Sequence, residues 1–172
     1  MNFGVVCQRL KGTNSERIIL ERMIIKLTEN DIPSIAEMME RIFMDDIVEP
    51  AELKEEMRSV YVSPGFWKRK FGECEVFADE EDGKFTVLGA YKDNEVDKLY
   101  VALNAKGKGK GSLMLGFLEN RIRENGFDNV FLYALMTAVS FYEKKGYYAD
   151  GNGKVELPGG TVPTKLMRKK LA

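Results

Sequence analysis

The chain has 172 residues, 44% apolar and 31% charged, with a formal net charge of −1. That is enough for one domain with a sizeable core, and it gives no general pull toward nucleic acid or an anionic membrane. Histidine is absent, which excludes Ser-His-Asp and Cys-His nucleophile systems, His-rich zinc sites and imidazole acid–base chemistry; proton transfer falls to carboxylates, tyrosine, lysine, cysteine or water.

Residues 1–22 show no clear period and read as an N-terminal extension to a domain spanning 23–172. Met23 opens a strand-like run, "MIIKL". Asn30, Asp31 and Pro33 then mark a helix start, and Ile35, Met38, Met39, Ile42 and Phe43 recur at helical spacing. A second helical piece is expected from Pro50 through "AELKEEMRSVY", and "SPGFWKRKFG" reads as a turn-rich segment.

From Glu73 the period changes, and "ECEVFADEEDGKFTVLGAYKDNEVDKLYV" reads as three antiparallel strands, with "DEEDG" and "KDN" as the turns. In the third of these, Val96 and the next apolar residue, Leu99, are three positions apart, whereas Leu99 and Val101 are two apart; the extra residue predicts a β-bulge near Asp97 and Lys98. Met114, Leu115, Phe117, Leu118 and Ile122 form a helical stripe closed by Gly126. "NVFLYAL" follows as a strand expected to be covered on both faces, then a short helix "AVSFYEKK" capped by Thr137 and closed by Gly146. "GYYAD" and "TVPTKLMRKKL" complete the chain as two strands around the turn "LPGGT". This order predicts a single mixed α/β (α+β) layered domain.

The stretch with most chemical content is "NAKGKGKGSLML". Glycines at 107, 109 and 111 allow close approach to a ligand, and the helix that follows presents unpaired N–H groups and a partial positive charge. Together they read as an anion cradle, with the amides of Lys108 to Ser112 ahead of the ammonium groups. Neither the mononucleotide loop nor the dinucleotide fingerprint fits: Gly111 itself precedes Ser112, and Ser112 or Met114 stands where a third glycine belongs.

Lys106, Gly107, Lys108, Gly109, Lys110 and Gly111 do fit basic-Gly-x-Gly-x-Gly/Ala between a strand and a helix. This resembles the acetyl-CoA pyrophosphate loop of the GNAT acetyltransferase superfamily, with lysine in place of the usual arginine or glutamine. "EVDKLYV" is similar to that family's bulged fourth strand, and "AVSFYEKKGYY" to its A-x-x-(F/L)-Y-E-K-x-G-(F/Y) segment. The resemblance covers roughly residues 23 to 171.

It implies a mostly antiparallel sheet flanked by helices, acetyl-CoA as acyl donor, and direct transfer to a primary amine on a small molecule or peptide. It places Leu99, Tyr100 and Val101 beside pantetheine in the gap between the fourth strand and "NVFLYAL". Lys106 to Ser112 and Phe141 would also bind the cofactor. Tyr142 would protonate the thiolate, and Glu95 or Asp97 would serve as base, directly or through water. Leu135 departs from the asparagine often found there and cannot make its cofactor hydrogen bond. Such domains often dimerise through terminal strands, which leaves a homodimer open.

Candidates for acceptor recognition are the acidic "MDDIVEPAELKEE" and the aromatics Phe66, Trp67 and Phe71. A second reading is a non-catalytic acyl-CoA-binding sensor or interaction domain on the same fold. No metal is expected: Cys7 and Cys74 make no ligand spacing, and with Cys74 in a predicted strand no acyl-enzyme nucleophile is evident. The near-zero charge argues against a nucleic-acid partner. The lack of a long apolar run or a secretory signal predicts a cytoplasmic chain with no membrane partner.

Overall fold

The computed structural model describes residues 24–45 and 53–171. The predicted extension, and the acidic stretch 46–52 with the expected helix start at Pro50, lie outside the described residues.

The chain runs β1 (Ile24–Lys26), α1 (Ile32–Asp45), α2 (Lys54–Val62), α3 (Pro64–Glu73), β2 (Glu75–Glu81), β3 (Lys84–Lys92), β4 (Glu95–Val101), α4 (Lys110–Glu124), β5 (Asn129–Leu135), α5 (Val139–Glu143), β6 (Tyr148–Leu157) and β7 (Gly160–Lys170). The strands form one seven-stranded sheet in the order β1-β2-β3-β4-β5-β7-β6, antiparallel except between β4 and β5. The fold is the single mixed α/β domain that the sequence predicts.

One face of the sheet is covered by α1, α2 and α3: Ile35, Met38, Met39, Phe43, Met57, Tyr61 and Trp67 pack with Val76, Ala78, Leu88 and Ala90. On the opposite face, Met114, Leu115, Leu118 and Ile122 of α4 pack with Val87, Tyr91, Val96, Val130 and Leu132. Gly89 sets the closeness of that contact, because a Cβ there would lie 2.7 Å from Met114 Cγ and 3.0 Å from Leu118 Cδ1.

Four expectations are corrected. "SPGFWKRKFG" is not a turn-rich segment but the helix α3, with Pro64 at its first position, where the missing N–H costs nothing. Cys74 is the residue that caps α3, one position before the strand. β5 is covered on one face only: Val130, Leu132 and Ala134 are buried, while Asn129 and Tyr133 are exposed. Thr137 makes no capping hydrogen bond and lies inside a short 3-10 turn, Met136–Ala138, that leads into α5.

The sheet is interrupted by three single-residue bulges. β3 and β4 pair Ala90 with Lys98 and Tyr91 with Val96, which leaves Asp97 as the extra residue predicted from the sequence. The pairings Asp79 with Val87 and Glu80 with Phe85 leave Thr86 extra on β3, and Asp150 is extra on β6. Each extra residue is polar and each uses its re-aimed side chain. Asp97 meets Lys70 and Lys98, Thr86 meets Asp79 and Lys110, and Asp150 meets Arg168.

Candidate functional site

β4 and β5 share a single register pair, Glu95 with Phe131, fastened by Phe131 N–H donating to the Asn94 carbonyl at 3.0 Å. Beyond it the strands diverge. Leu99, Tyr100 and Val101 remain paired to β3 through Gly89, Leu88 and Val87, while their other edge has no strand partner. The gap opens into a cavity of ≈ 650 Å³. Leu99, Tyr100 and Val101 form one wall; Leu135, Ala138, Phe141 and Tyr142 form the other; Ile42, Phe43 and Met57 of α1 and α2 close one end.

The glycine loop closes the other end through Lys106, Gly107, Gly109, Gly111 and Ser112. Gly107 (φ 73°) and Gly109 (φ 81°) occupy the left-handed region, where a side chain is strained. Gly111 is required for space instead: its Cβ would stand 3.0 Å from Val101 Cγ2. The first backbone bond of α4 runs from Leu113 N–H to the Gly109 carbonyl at 3.0 Å. The amides of Lys110, Gly111 and Ser112 therefore precede the helical ladder and leave unpaired donors and a partial positive charge at its N-terminus.

The three loop lysines have three different fates. Lys106 lines the cavity and is the charged residue of its wall among the described residues. Lys108 is exposed and outside the lining. Lys110 turns away onto the sheet, where its Nζ lies 2.5 Å from Asp79 Oδ2 and 2.9 Å from Glu81 Oε1. Its ammonium group is thus engaged on the sheet, while its amide stays among the unpaired donors at the start of α4.

Tyr142 is 8% exposed and presents to the cavity from α5, with Phe141 and Tyr147 packed edge-on against it at 5.0 and 5.6 Å. Burial raises its pKa well above that of a free phenol, so it stays protonated and neutral. Tyr147 is held in turn by its hydroxyl donating to Glu119 Oε1 at 3.0 Å.

Glu95 and Asp97 are not part of the cavity lining. Asp97 is held between Lys70 Nζ at 2.9 Å and Lys98 Nζ at 3.2 Å. Burial alone would raise its pKa, but the two ammonium groups lower it on balance. Glu95 behaves oppositely: burial first, then the charge of Asp97, raises its pKa. Trp67, a candidate for acceptor recognition, is fully buried with its indole N–H donating to the Tyr61 carbonyl at 2.7 Å, and belongs to the core. Burial, then the charge of Asp97, pushes the Cys74 thiol up to about 11, which keeps it protonated and a weak nucleophile. Ile42, Phe43 and Met57 were missed as lining residues because their helical spacing signals burial, and periodicity does not tell core from cavity wall.

Among the described residues no group of carboxylates or cysteines could hold a metal, and no helix is long and apolar enough to cross a membrane.

A strand splayed from its parallel neighbour, with a glycine loop and helix N-terminus at the mouth of the gap, defines an acyltransferase-like architecture. Residues 40–157 match the family model "Acetyltransferase (GNAT) domain", and the chain belongs to that family. Solved structures share the fold. A GCN5-related N-acetyltransferase from Rhodopseudomonas palustris is 21% identical over 86% of this chain and 94% of its own, with a TM-score of 0.75. PaiA N-acetyltransferase from Thermoplasma acidophilum, solved in complex with coenzyme A, is 19% identical over 86% and 97%, with a TM-score of 0.67. The ribosomal-protein-S18-alanine N-acetyltransferase from Escherichia coli is 16% identical over 87% and 93%, with a TM-score of 0.65. No curated protein sequence matches the chain significantly.

Proposed function

We propose that this protein is an acetyl-CoA-dependent N-acetyltransferase that passes an acetyl group directly to a primary amine on a small molecule or peptide. The observation that carries this reading is the continuity of one cavity from the unpaired amides at the start of α4 to the buried phenol of Tyr142. Family membership and the coenzyme A complex of the Thermoplasma relative support it.

The residues fit the donor. Two left-handed glycines and a third that clears Val101 leave main-chain donors accessible, Lys106 adds positive charge, and no carboxylate of the described residues lines the cavity to repel a diphosphate. The amides of Lys108 to Ser112 would hold the diphosphate, and the open edge of Leu99, Tyr100 and Val101 would hold the pantetheine amides beside Phe141. Acetyl-CoA supplies an activated thioester. The amine nitrogen bonds to the acetyl carbon as the carbon–sulfur bond breaks, and Tyr142 gives its proton to the departing sulfur. The proton lost by the amine leaves through water toward Glu95, whose raised pKa suits it to accept better than the ion-paired Asp97.

The position of both carboxylates outside the cavity lining is what favours the second reading, an acyl-CoA sensor without turnover. Thiol release measured over a panel of amines and peptides separates the two. Coenzyme A release that depends on the amine supports the transferase; tight binding without release from any acceptor supports the sensor.

A further inference from the structure

Lys110 stands in the middle of the glycine loop motif, yet its side chain leaves the cavity. As the first residue of α4 it places a positive charge where the helix dipole disfavours one. Its compensation lies on the sheet: Asp79, 5% exposed, Glu81, and the hydroxyl of Thr86, 3.2 Å from Lys110 Nζ. Thr86 is the extra residue of the β2–β3 bulge, and its Oγ also donates to Asp79 Oδ2 at 3.1 Å.

The other end of the loop reaches the same residue. Where the chain leaves β4, Ala102 N–H donates to the Thr86 carbonyl at 2.9 Å. Residues 103–109, with two glycines at positive φ, are thus strung between two fastenings that converge on Thr86. Gly111 and Ser112, which line the cavity and precede the helical ladder, directly follow the lysine that makes the downstream fastening.

We propose that Lys110 is a positioning residue for the acyl donor, clamping the first turn of α4 to Asp79, Glu81 and Thr86 so that the Gly111 and Ser112 amides hold one orientation toward the cavity. The inference rests on the reading of that cavity as a coenzyme A site. The clamp acts through the backbone, so the ammonium group never needs to touch phosphate.

The test compares the wild-type protein with Lys110→Met, Lys110→Arg, Asp79→Asn and the double variant Lys110→Met/Asp79→Asn. Coenzyme A binding is measured by calorimetry, acetyl-CoA kinetics are measured at saturating amine, and hydrogen exchange is followed at single amides. Lys110→Met and Asp79→Asn should each weaken coenzyme A binding and raise KM for acetyl-CoA about tenfold with kcat within about twofold. The double variant should be no worse than either single change, and arginine should restore most of the affinity. Exchange at Leu113, whose N–H donates to the Gly109 carbonyl in the first bond of α4, should quicken while Leu118 in the same helix stays protected. Unchanged affinity in Lys110→Met overturns the proposal. So does a loss in Lys110→Met that Asp79→Asn does not share, which would mean direct contact of lysine with phosphate. If a variant fails to fold, Glu81→Gln, which removes only the more exposed partner, should still raise KM about twofold, and no change in KM there counts against the clamp. Failure of the wild-type protein to bind coenzyme A would instead sink the reading of the cavity, and the exchange data would still report whether Lys110 orders the turn.

Discussion

Glu95 and Phe131 form the single register pair between β4 and β5 among the described residues, and the cavity lies wholly beyond it. A parallel pair fastened at one end leaves a strip of main chain without a strand partner in the middle of a sheet. That strip, Leu99 to Val101, is backed by β3 and so held rigid while its open edge stays available to a ligand.

Tyr142→Phe keeps the ring packed against Phe141 and Tyr147 and removes only the hydroxyl. The expected outcome is a fall in kcat of about 10- to 100-fold with coenzyme A affinity unchanged, read from steady-state kinetics and calorimetry. Full retained activity would remove Tyr142 from its assigned role.

Asp97 is tested by stability as well as rate. The side chains of Asp97, Lys70 and Lys98 are 13%, 18% and 16% exposed, so Asp97→Asn removes the shared counter-charge of two poorly solvated ammonium groups and leaves Lys70 with its longer pair to Glu73 at 3.5 Å. A loss of about 3 kcal/mol in urea unfolding is expected. The carboxyl has a lowered pKa in the folded protein, so its contribution is present above the unfolded value and is lost as pH falls through the lowered one. Wild-type stability should therefore drop in acid more steeply than that of the variant.

Glu95→Gln should lower kcat about tenfold while leaving KM for acetyl-CoA unchanged, if the amine's proton travels toward that carboxylate. An unaltered kcat in stopped-time assays would assign deprotonation to water alone.

Alkaline pH should destabilise the fold. Tyr61, Tyr100, Tyr142 and Tyr147 all have pKa values raised first of all by burial. Above about pH 10 the unfolded chain sheds phenolic protons that the folded chain retains, so stability falls as pH rises. Thermal melts between neutral and strongly alkaline pH check this. A melting temperature that does not fall above the normal phenol range would contradict the burial of these rings.

The glycine loop, the hairpin turns and the Asp97 bulge were legible because each rests on local chemistry: positive φ, turn residues, and a break in the period of two. α3 was not. Pro64, Gly65 and Gly72 read as turn signals, but Trp67 and Phe66 are held by Tyr61 and override that local preference. The partner of Lys110 lies 31 residues away on β2, a pairing that motif spacing cannot supply. For the same reason the motif could not say which loop lysines line the cavity. The single covered face of β5 is a tertiary fact, Val130, Leu132 and Ala134 packing with α4, that a run of branched and aromatic residues does not encode.

The most direct test of the cleft is calorimetric titration of coenzyme A into the wild-type protein and into Gly109→Val. Valine at φ 81° costs about 1–2 kcal/mol in backbone strain at the turn that presents the amides. Saturable binding by the wild-type protein, weakened about tenfold or more in the variant, is the predicted result. Equal affinity in both, or no binding by the wild-type protein, would contradict the assignment of the α4 N-terminus as the seat of the diphosphate.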